Sequence, residues 1–419
     1  GTKAIINNST GDFDIRGDVV RIKKYDASKT MASFIAGGQA EFNYDTTRRL
    51  HTSPTGIVVT GEVASSQDYP NFQPTLDFNF ASEKKLDPRI TYQRIGPASF
   101  INEFGKVVIV GDNAPRFDHD SDTRECKGLL IEESRTNVVY PSSDWSFTNW
   151  THENSNTSQE KNTTDTEDPA GTFSATKITP TNASTLRSIY WGTTITFTNA
   201  VNFTMSAFAK STTGLHVQLR PRGQGSNKAW ATFNLTTGVV GNSGGTSLVS
   251  TRIEKYPNDW YRCFLTFTGG GSTAGGFGAL IMDDGNDGEA GTHTGDPSKS
   301  IFFWGAQFET GSFATSYIPT DSAAVTRGRD IVDIDGEDFT DFYNQTESTI
   351  ISSHTLLPNV PNAENVYVYQ IQDASTNNAI RVIDKNSSYS NVATAIVINS
   401  GSSQGHFNNT TDSFTKDKV

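Results

Sequence analysis

The stretch NFTMSAFAK, residues 202–210, is decisive for the fold class because apolar side chains recur at alternate positions along it. Successive side chains of a β-strand point to opposite faces of a sheet, so the odd-numbered residues of 203–209 share one face. The pattern predicts a strand with that face directed to a hydrophobic core. A helix would instead repeat its apolar side chains every three to four positions.

The same alternation recurs further along the chain. Residues 215–219, 229–235 and 261–267 each place apolar side chains on one face, and residues 301–305 form a continuous apolar run. No stretch longer than about 10 residues shows the helical period of 3.6. About eight strands joined by long loops over residues 138–330 predict a jelly-roll β-sandwich. The predicted fold class of the whole chain is all-β.

Composition supports a β-rich chain and limits its partners. Of 419 residues, 19% are charged and 36 are Gly, and the 46 acidic residues exceed the 34 basic ones to give a net charge of −12. We predict no nucleic-acid partner, because phosphate binding needs a basic surface. No run of about 18 apolar residues is present, so we predict no membrane insertion. The two cysteines, Cys126 and Cys263, predict small buried side chains rather than a disulfide scaffold.

The segments on either side of the sandwich differ from it. Residues 1–66 show short alternating runs with few large apolar side chains, which predicts a β-rich shaft segment that buries its core against copies of itself. Residues 67–137 contain a Pro-punctuated linker and then a β block that ends in a hairpin. Residues 138–330 are the predicted jelly-roll domain. Residues 331–419 start a further β domain with too few strands for a closed sandwich.

The predicted hairpin lies within residues 115–137, which read PRFDHDSDTRECKGLLIEESRTN. Its acidic run consists of Asp118, His119, Asp120 and Asp122. Alternating carboxylates could bind Ca²⁺, but the positions where an EF-hand loop needs Gly and Glu hold Thr123 and Leu129. We therefore interpret the run as a solvated turn that sets up the next strand.

The second half of this stretch invites a catalytic interpretation, because paired carboxylates drive glycoside hydrolysis. Glu132 and Glu133 are adjacent, however, and adjacent strand residues point to opposite faces, so the two do not flank one bond. An ion pair with Arg135 or bonds to the backbone are the expected alternative. The apolar residues 129–131 are predicted to hold the hairpin in a core.

Several of these stretches resemble the tail-fibre and tail-appendage proteins of bacteriophages, especially those of marine phages. The resemblance is carried by PRFDHD…CKGLLIEESRTN at 115–137, LDPRIT at 86–91, DWYRC at 259–263, FWGAQFE at 303–309, SYIPT at 316–320 and VTR at 325–327. Asp259 stands where that family usually has Gly. Residues 41–63 are similar to short repeats of fibre shafts. Residues 336–349 resemble the start of a concanavalin A-like module, so 331–419 is expected to be a partial domain of that type.

The resemblance implies a virion protein of the phage tail, expected to be a homotrimeric fibre that contacts other tail proteins and attaches to host-surface glycans. Residues 138–330 are accordingly expected to resemble carbohydrate-binding modules. A purely structural connector or decoration protein is the main alternative. A depolymerase tailspike is a further one, but no regular solenoid period is visible. The nucleophile-elbow, zinc-protease, P-loop and dinucleotide motifs do not occur in their required settings, so we predict no enzyme activity.

Glycan recognition needs an aromatic face for sugar C–H groups with hydrogen-bonding side chains beside it. Trp191 and Trp230 lie on or beside predicted strands, and Arg220 and Arg222 lie close in sequence to Trp230. A Gly follows Trp191, which favours an exposed bend. We predict these four residues as ligand-binding, with packing in a core or between chains as the alternative for each Trp.

The loop DDGNDGE, residues 283–289, is the better candidate metal site by composition. Asp283, Asp284, Asn286 and Asp287 carry the oxygen ligands that Ca²⁺ prefers, and the two glycines allow tight turns. Loops at the ends of sandwiches also carry recognition functions. An ordinary exposed loop is the alternative, and Ca²⁺ is the sole candidate cofactor.

Overall fold

The computed structural model describes residues 17–24, 28–44, 47–53, 56–59, 75–153, 156–223, 228–272, 274–283, 293–344, 350, 352, 354, 366–373, 377–385 and 394–408. The chain divides into two compact units, Gly1–Pro74 and Thr75–Val419. Antiparallel strands dominate both, and the helices of the described residues are the short α1 (Phe80–Glu83) and α2 (Gly336–Thr340). The all-β prediction is confirmed. None of the described helices is long and apolar enough to cross a membrane.

The first unit contains a five-stranded antiparallel sheet in which each strand pairs with the next. Its strands are β1 (Val19–Lys23), β2 (Thr30–Ile35), β3 (Ala40–Tyr44), β4 (Thr47–Ser53) and β5 (Gly56–Val59). The register aligns one apolar row across all five strands, namely Ile22, Ala32, Phe42, Leu50 and Val59. Among the described residues of this unit, Ala32 and Ser33 are the buried ones. The sheet therefore encloses little core of its own, as its sparse apolar content predicts.

The second unit holds the remaining strands. In chain order they are β6 (Thr91–Gln93), β7 (Ala98–Ile101), β8 (Val107–Val110), β9 (Phe117–His119), β10 (Cys126–Leu129), β11 (Arg135–Asn137), β12 (Trp150–His152), β13 (Thr157–Glu160), β14 (Thr176–Pro180), β15 (Ser184–Thr185), β16 (Ser188–Ile195), β17 (Asn202–Lys210), β18 (His216–Leu219), β19 (Trp230–Asn234), β20 (Val239–Gly244), β21 (Leu248–Tyr256), β22 (Trp260–Thr268), β23 (Gly275–Met282), β24 (His293–Thr294), β25 (Ile301–Thr310), β26 (Val325–Arg327), β27 (Ile331–Asp333), β28 (Val366–Gln372), β29 (Ala379–Lys385), β30 (Thr394–Asn399) and β31 (Ser402–Asn408). The last four form an antiparallel sheet in chain order.

Two six-stranded sheets form a sandwich at the centre of this unit. The front sheet has the order β12-β16-β23-β18-β19-β20, and the back sheet has the order β13-β14-β25-β17-β22-β21. Edge strands aside, eight strands cross between the two sheets along the chain, except that β18 and β19 follow each other in the front sheet. Numbered in sequence, these eight give the orders 2-7-4-5 in front and 1-8-3-6 behind. This is the jelly-roll arrangement that the spacing of the alternating runs predicts.

The facing sides of the two sheets enclose one hydrophobic core. Met205 and Leu265 of the back sheet and Val217 and Phe277 of the front sheet are fully buried. Met205, Val217 and Leu265 belong to the alternating runs, so the inward faces predicted for those three runs are confirmed. Cys263 lies in the same core as a free thiol, and Cys126 is free and half-buried. The prediction of a small buried side chain is therefore confirmed for Cys263, whereas Cys126 is only half-buried.

The outer face of the back sheet is also covered. Phe208, Trp260 and Trp304 point away from the main core and pack in a second buried cluster with Val107 of β8. The indole N–H of Trp260 donates to the Glu167 carbonyl at 2.8 Å. Because both faces of the back sheet are buried, its strand β25 can be apolar at consecutive positions.

The block around residues 115–137 is continuous with the sandwich. Strand β11 pairs with β26, and β6 pairs with β27, so strands from before the sandwich form ladders with strands from after it. Asn137 is fully buried, and its side-chain amide donates to the Ala306 and Ile318 carbonyls at 3.0 Å each. The boundary predicted between residues 137 and 138 is therefore not a boundary between compact units.

A buried ion cluster ties these ladders together. Arg116 donates to Glu132 Oε2 and to Asp330 Oδ2, both at 2.6 Å. Arg327 donates to the same Glu132 oxygen at 2.7 Å, and Arg94 Nε lies 3.4 Å from Asp330 Oδ1. The five side chains are at most 1% exposed. Burial alone would raise the pKa of Glu132, but the adjacent guanidinium groups of Arg327 and Arg116 lower that pKa to about 2.

This cluster corrects the prediction that residues 129–131 hold the hairpin in a core. Leu129 and Leu130 are only half-buried, and Ile131 is 47% exposed. Charge-assisted hydrogen bonds to Glu132, one position further on, anchor the segment instead. The expected partner of Arg135 is present, because its guanidinium pairs with Glu133.

Candidate functional site

The outer face of the front sheet carries an open cleft. Strand pairing puts Tyr190 of β16 opposite Gly278 of β23. The backbone N–H of Arg220 donates to the Gly278 carbonyl at 3.0 Å, and the ladder between β18 and β19 brings Arg220 beside Trp230. Tyr190, Gly278, Arg220 and Trp230 thus form a row across four strands. Because side chains alternate along each strand, this row lies on the face directed away from the core.

The cleft has a volume of about 470 Å³. Its charged and aromatic lining consists of Glu153, Tyr190, Arg220, Arg222 and Lys228. Arg222 is exposed, and the other four are half-buried. A volume of this size lies within the range of small-molecule sites, which is about 300–1,000 Å³.

Arg222 is stacked on Tyr190 at the centre of the cleft. The guanidinium carbon of Arg222 lies 3.5 Å from the centroid of the Tyr190 ring. The Arg222 N–H donates to the Gly276 carbonyl at 2.8 Å, and the Gly276 N–H donates to the Arg222 carbonyl at 3.2 Å. A cation–π contact at an exposed site contributes roughly 0.5–1 kcal/mol. The stack holds the guanidinium plane over the ring and leaves its N–H groups at the edge of that plane.

Glycine at position 278 allows the cleft to form. A Cβ placed there would lie 2.7 Å from the Arg220 carbonyl oxygen and 3.7 Å from Arg220 Cγ. Any larger residue would push the backbone of Arg220 away from β23. The missing side chain therefore lets Arg220 lie across the strand between Tyr190 and Trp230.

The cleft is cationic within an acidic chain. Its lining has three basic side chains, Arg220, Arg222 and Lys228, and one carboxylate, Glu153. The whole chain has a net charge of −12. Concave surfaces of one sign raise the local concentration of ligands of the opposite sign. This arrangement can offer several charge-assisted hydrogen bonds to one ligand.

Trp191 does not lie in the cleft, and the prediction that it forms an exposed binding platform is wrong. Its side chain is 7% exposed and belongs to the sandwich core. Its indole N–H donates to the Tyr140 carbonyl at 2.6 Å. Adjacent strand residues point to opposite faces, so the side chain that reaches the cleft is that of Tyr190.

The other three predicted ligand-binding residues share the outer face of the front sheet. Arg220 and Arg222 line the cleft. Trp230 is half-buried beside Arg220, and its indole lies over Gly244, where a Cβ would approach the ring to 3.1 Å. Trp230 therefore leans toward the edge strand β20. Strand pairing brings the side chains of Trp230, Arg220 and Arg222 to one face of the front sheet.

The predicted metal residues fall mostly outside the described residues. Asp284, Asn286 and Asp287 lie in that part of the chain, so their Ca²⁺ role stays a prediction. Asp283 is described, and one of its oxygens lies 3.2 Å from Arg187 Nη2. Over the described ranges, no group of three or more His, Cys, Asp or Glu side chains is placed to hold a metal ion.

The acidic run of the signature stretch does not converge on one point. Asp118 accepts the Ile101 N–H at 2.7 Å, and His119 Nδ1 lies 3.0 Å from the Ile101 carbonyl oxygen. Asp120 accepts two N–H groups of its own turn, from Asp122 and Thr123, at 3.0 Å each. The turn interpretation holds for Asp120. It is incomplete for His119, which is buried, and for Asp118, whose pKa is raised to about 6 by burial.

Three of the charged and aromatic residues of the cleft were not among the predicted site residues. Tyr190, Glu153 and Lys228 line it. Tyr190 could have been found, because alternation from the apolar Ile189 and Trp191 puts it on the opposite face. The ladder between β12 and β16 brings Glu153 to the cleft, and the pairing of β19 with β18 brings Lys228, which precedes β19. No local sequence pattern encodes either placement.

Comparisons with known proteins add little to this geometry. No family model and no curated protein matches the chain. Among solved structures, the chain is similar to TmCBM61 in complex with beta-1,4-galactotriose, with 9% sequence identity and a TM-score of 0.26. The match covers 42% of this chain and 99% of that chain. We therefore base the account of the site on the cleft itself.

Proposed function

We propose that this chain binds glycans through the cleft on the outer face of the front sheet. The observation that carries the proposal is the grouping of Tyr190, Arg220 and Arg222 in one cleft on the outer face of the front sheet. A planar stack beside fixed hydrogen-bond donors is suited to a sugar ring with its hydroxyl groups. Ser188 and Glu153 add a hydroxyl and an acceptor to the same lining.

Glycan-array binding and calorimetry with the full chain test this function. We expect at least one saccharide to bind, and Tyr190→Ala to lower its affinity by about tenfold or more, since the variant removes the support of Arg222. Phe173→Ala is the matched control, because Phe173 is an exposed aromatic residue outside the cleft. If wild type and Tyr190→Ala bind the saccharide equally well, the cleft is not the glycan site.

We further propose that the chain acts as a homotrimeric tail-fibre protein of a phage virion, where it presents this cleft to the host surface. The resemblance of residues 115–137 and of the downstream stretches to phage tail proteins supports this role. The apolar row across β1–β5 supports assembly with copies of the same chain, since Ile22, Phe42 and Val59 are 53%, 49% and 43% exposed. Weak single contacts on several copies would add up to avidity.

A purely structural connector remains the second candidate function. The exposed apolar residues of the first unit favour it, because they are suited to packing against other virion proteins as well as against copies of the chain. Binding without catalysis is part of the proposed glycan function. A saccharide that is bound but returned intact after long incubation supports binding, whereas cleavage products would favour a depolymerase.

A further inference from the structure

We infer that the ligand of the cleft is an acidic saccharide, with a carboxylate or sulfate group held by Arg220 and Arg222. This inference rests on the proposed function, because it names the class of glycan that the same cleft would take. It concerns selectivity for an anionic sugar over its neutral counterpart.

The local charge of the cleft favours an anionic ligand. Three cationic side chains and one carboxylate line the cleft, whereas the chain as a whole carries −12. A neutral sugar needs no such excess of positive charge. An anionic ligand is attracted to a concavity whose described lining carries this excess of basic side chains.

The contacts of Arg222 also favour an anionic ligand. Among the described residues, no carboxylate lies within ion-pair distance of its guanidinium, and its described side-chain contact is the stack on Tyr190. The stack occupies one face of the guanidinium plane. The N–H groups at the edge of that plane are then suited to a bidentate contact with a planar carboxylate.

Arg220 and Arg222 are preorganised by the strands that hold their backbone. The backbone of Arg222 is fixed by its two hydrogen bonds to Gly276, and that of Arg220 by its bond to Gly278. Both arginines therefore lie on backbone that is hydrogen-bonded to strand β23 rather than on a free loop. A donor pair held in place before binding loses less conformational freedom when the ligand arrives.

Selectivity is tested with an array of matched pairs, in which each neutral oligosaccharide has a uronic-acid and a sulfated counterpart. We expect an acidic member to bind the full chain about tenfold or more tightly than its neutral counterpart. We also expect this advantage to shrink as the salt concentration rises, because salt screens exposed charges. The uronic and sulfated members separate a carboxylate from a sulfate ligand.

The variant Arg222→Gln keeps hydrogen-bonding capacity but removes the charge. It should abolish most of the acidic preference, whereas Arg329→Gln, an exposed arginine outside the cleft, should not. Thermal unfolding of both variants checks that they fold. Binding of neutral and acidic members with equal affinity overturns this inference and leaves the proposed function standing. If no member of any pair binds, the proposed function fails and the inference fails with it.

Discussion

At the scale of single residues, the pair Tyr190 and Trp191 decides which face of the sandwich carries the site. One step along a strand exchanges the core face for the outer face. Both residues are aromatic. The Gly after Trp191 favours an exposed bend, so the sequence predicts Trp191 rather than Tyr190 at the site. Burial in the structure reverses the choice.

The two aromatic residues should therefore differ in what their removal costs. We expect Trp191→Ala to destabilise the fold by about 3–5 kcal/mol, the usual cost of removing a large buried aromatic side chain. Tyr190→Ala, on the outer face, should cost much less. Urea unfolding of both variants measures this difference. A Trp191→Ala variant of normal stability would restore the exposed position that the sequence suggested.

Asp118 gives a prediction with a defined pH window. Burial raises its folded-state pKa from 3.8 to about 6. The folded protein therefore binds this proton more tightly than the unfolded chain does. The resulting stability is complete below pH 3.8 and is lost as the pH rises through about 6. A shift of about two pKa units corresponds to roughly 3 kcal/mol.

The variant Asp118→Asn should remove that pH dependence, because an amide can still accept the Ile101 N–H without a charge. We expect it to be more stable than wild type at pH 8 and similar at pH 4. Asp122→Asn, an exposed carboxylate of the same turn, is the control. Chemical unfolding of wild type and variant at pH 4 and pH 8 measures the effect. If the stability of Asp118→Asn changes between the two pH values as much as that of wild type, the prediction is wrong.

At the scale of elements, the strands of the sandwich could be predicted and the joint before it could not. Alternation in 203–209 and its sister runs marks the core face directly, because burial and period coincide there. The segment 115–137 is held by Arg327 and Asp330, which are distant in sequence. No local sequence pattern indicates such partners. The sequence therefore predicts that the apolar residues of the segment anchor it, whereas the buried ion cluster does.

Removing the shared carboxylate of this joint should be costly. Glu132→Gln leaves the buried guanidinium groups of Arg116 and Arg327 without their common anion, and we expect a loss of about 3–5 kcal/mol. Glu125→Gln, at an exposed position of the same hairpin, should be close to neutral. Denaturant unfolding near pH 7 compares the two variants.

The same carboxylate also predicts a response to acid. Its folded-state pKa of about 2 lies below the ordinary value of 4.5. Its contribution is therefore present above pH 4.5 and is lost as the pH falls toward 2. A Glu132→Gln variant that unfolds like wild type at pH 7 would show that the ion cluster does not hold the joint.

At the scale of the whole molecule, the first unit predicts self-association. Phe42 is the central residue of the apolar row across β1–β5. We expect light scattering of the full chain to give three times the mass of one chain. Phe42→Asp should lower this mass, while Arg21→Asp, on the other face of the sheet, should not. A single-chain mass for the wild type would contradict the trimer.

The central claim is that the outer face of the front sheet is a glycan site. An experimental structure of the full chain with its best-binding saccharide tests this most directly. We predict the saccharide in the cleft, with its acidic group at Arg220 and Arg222 and its ring beside the stack on Tyr190. A saccharide bound elsewhere on the chain, with this cleft empty, would contradict the account.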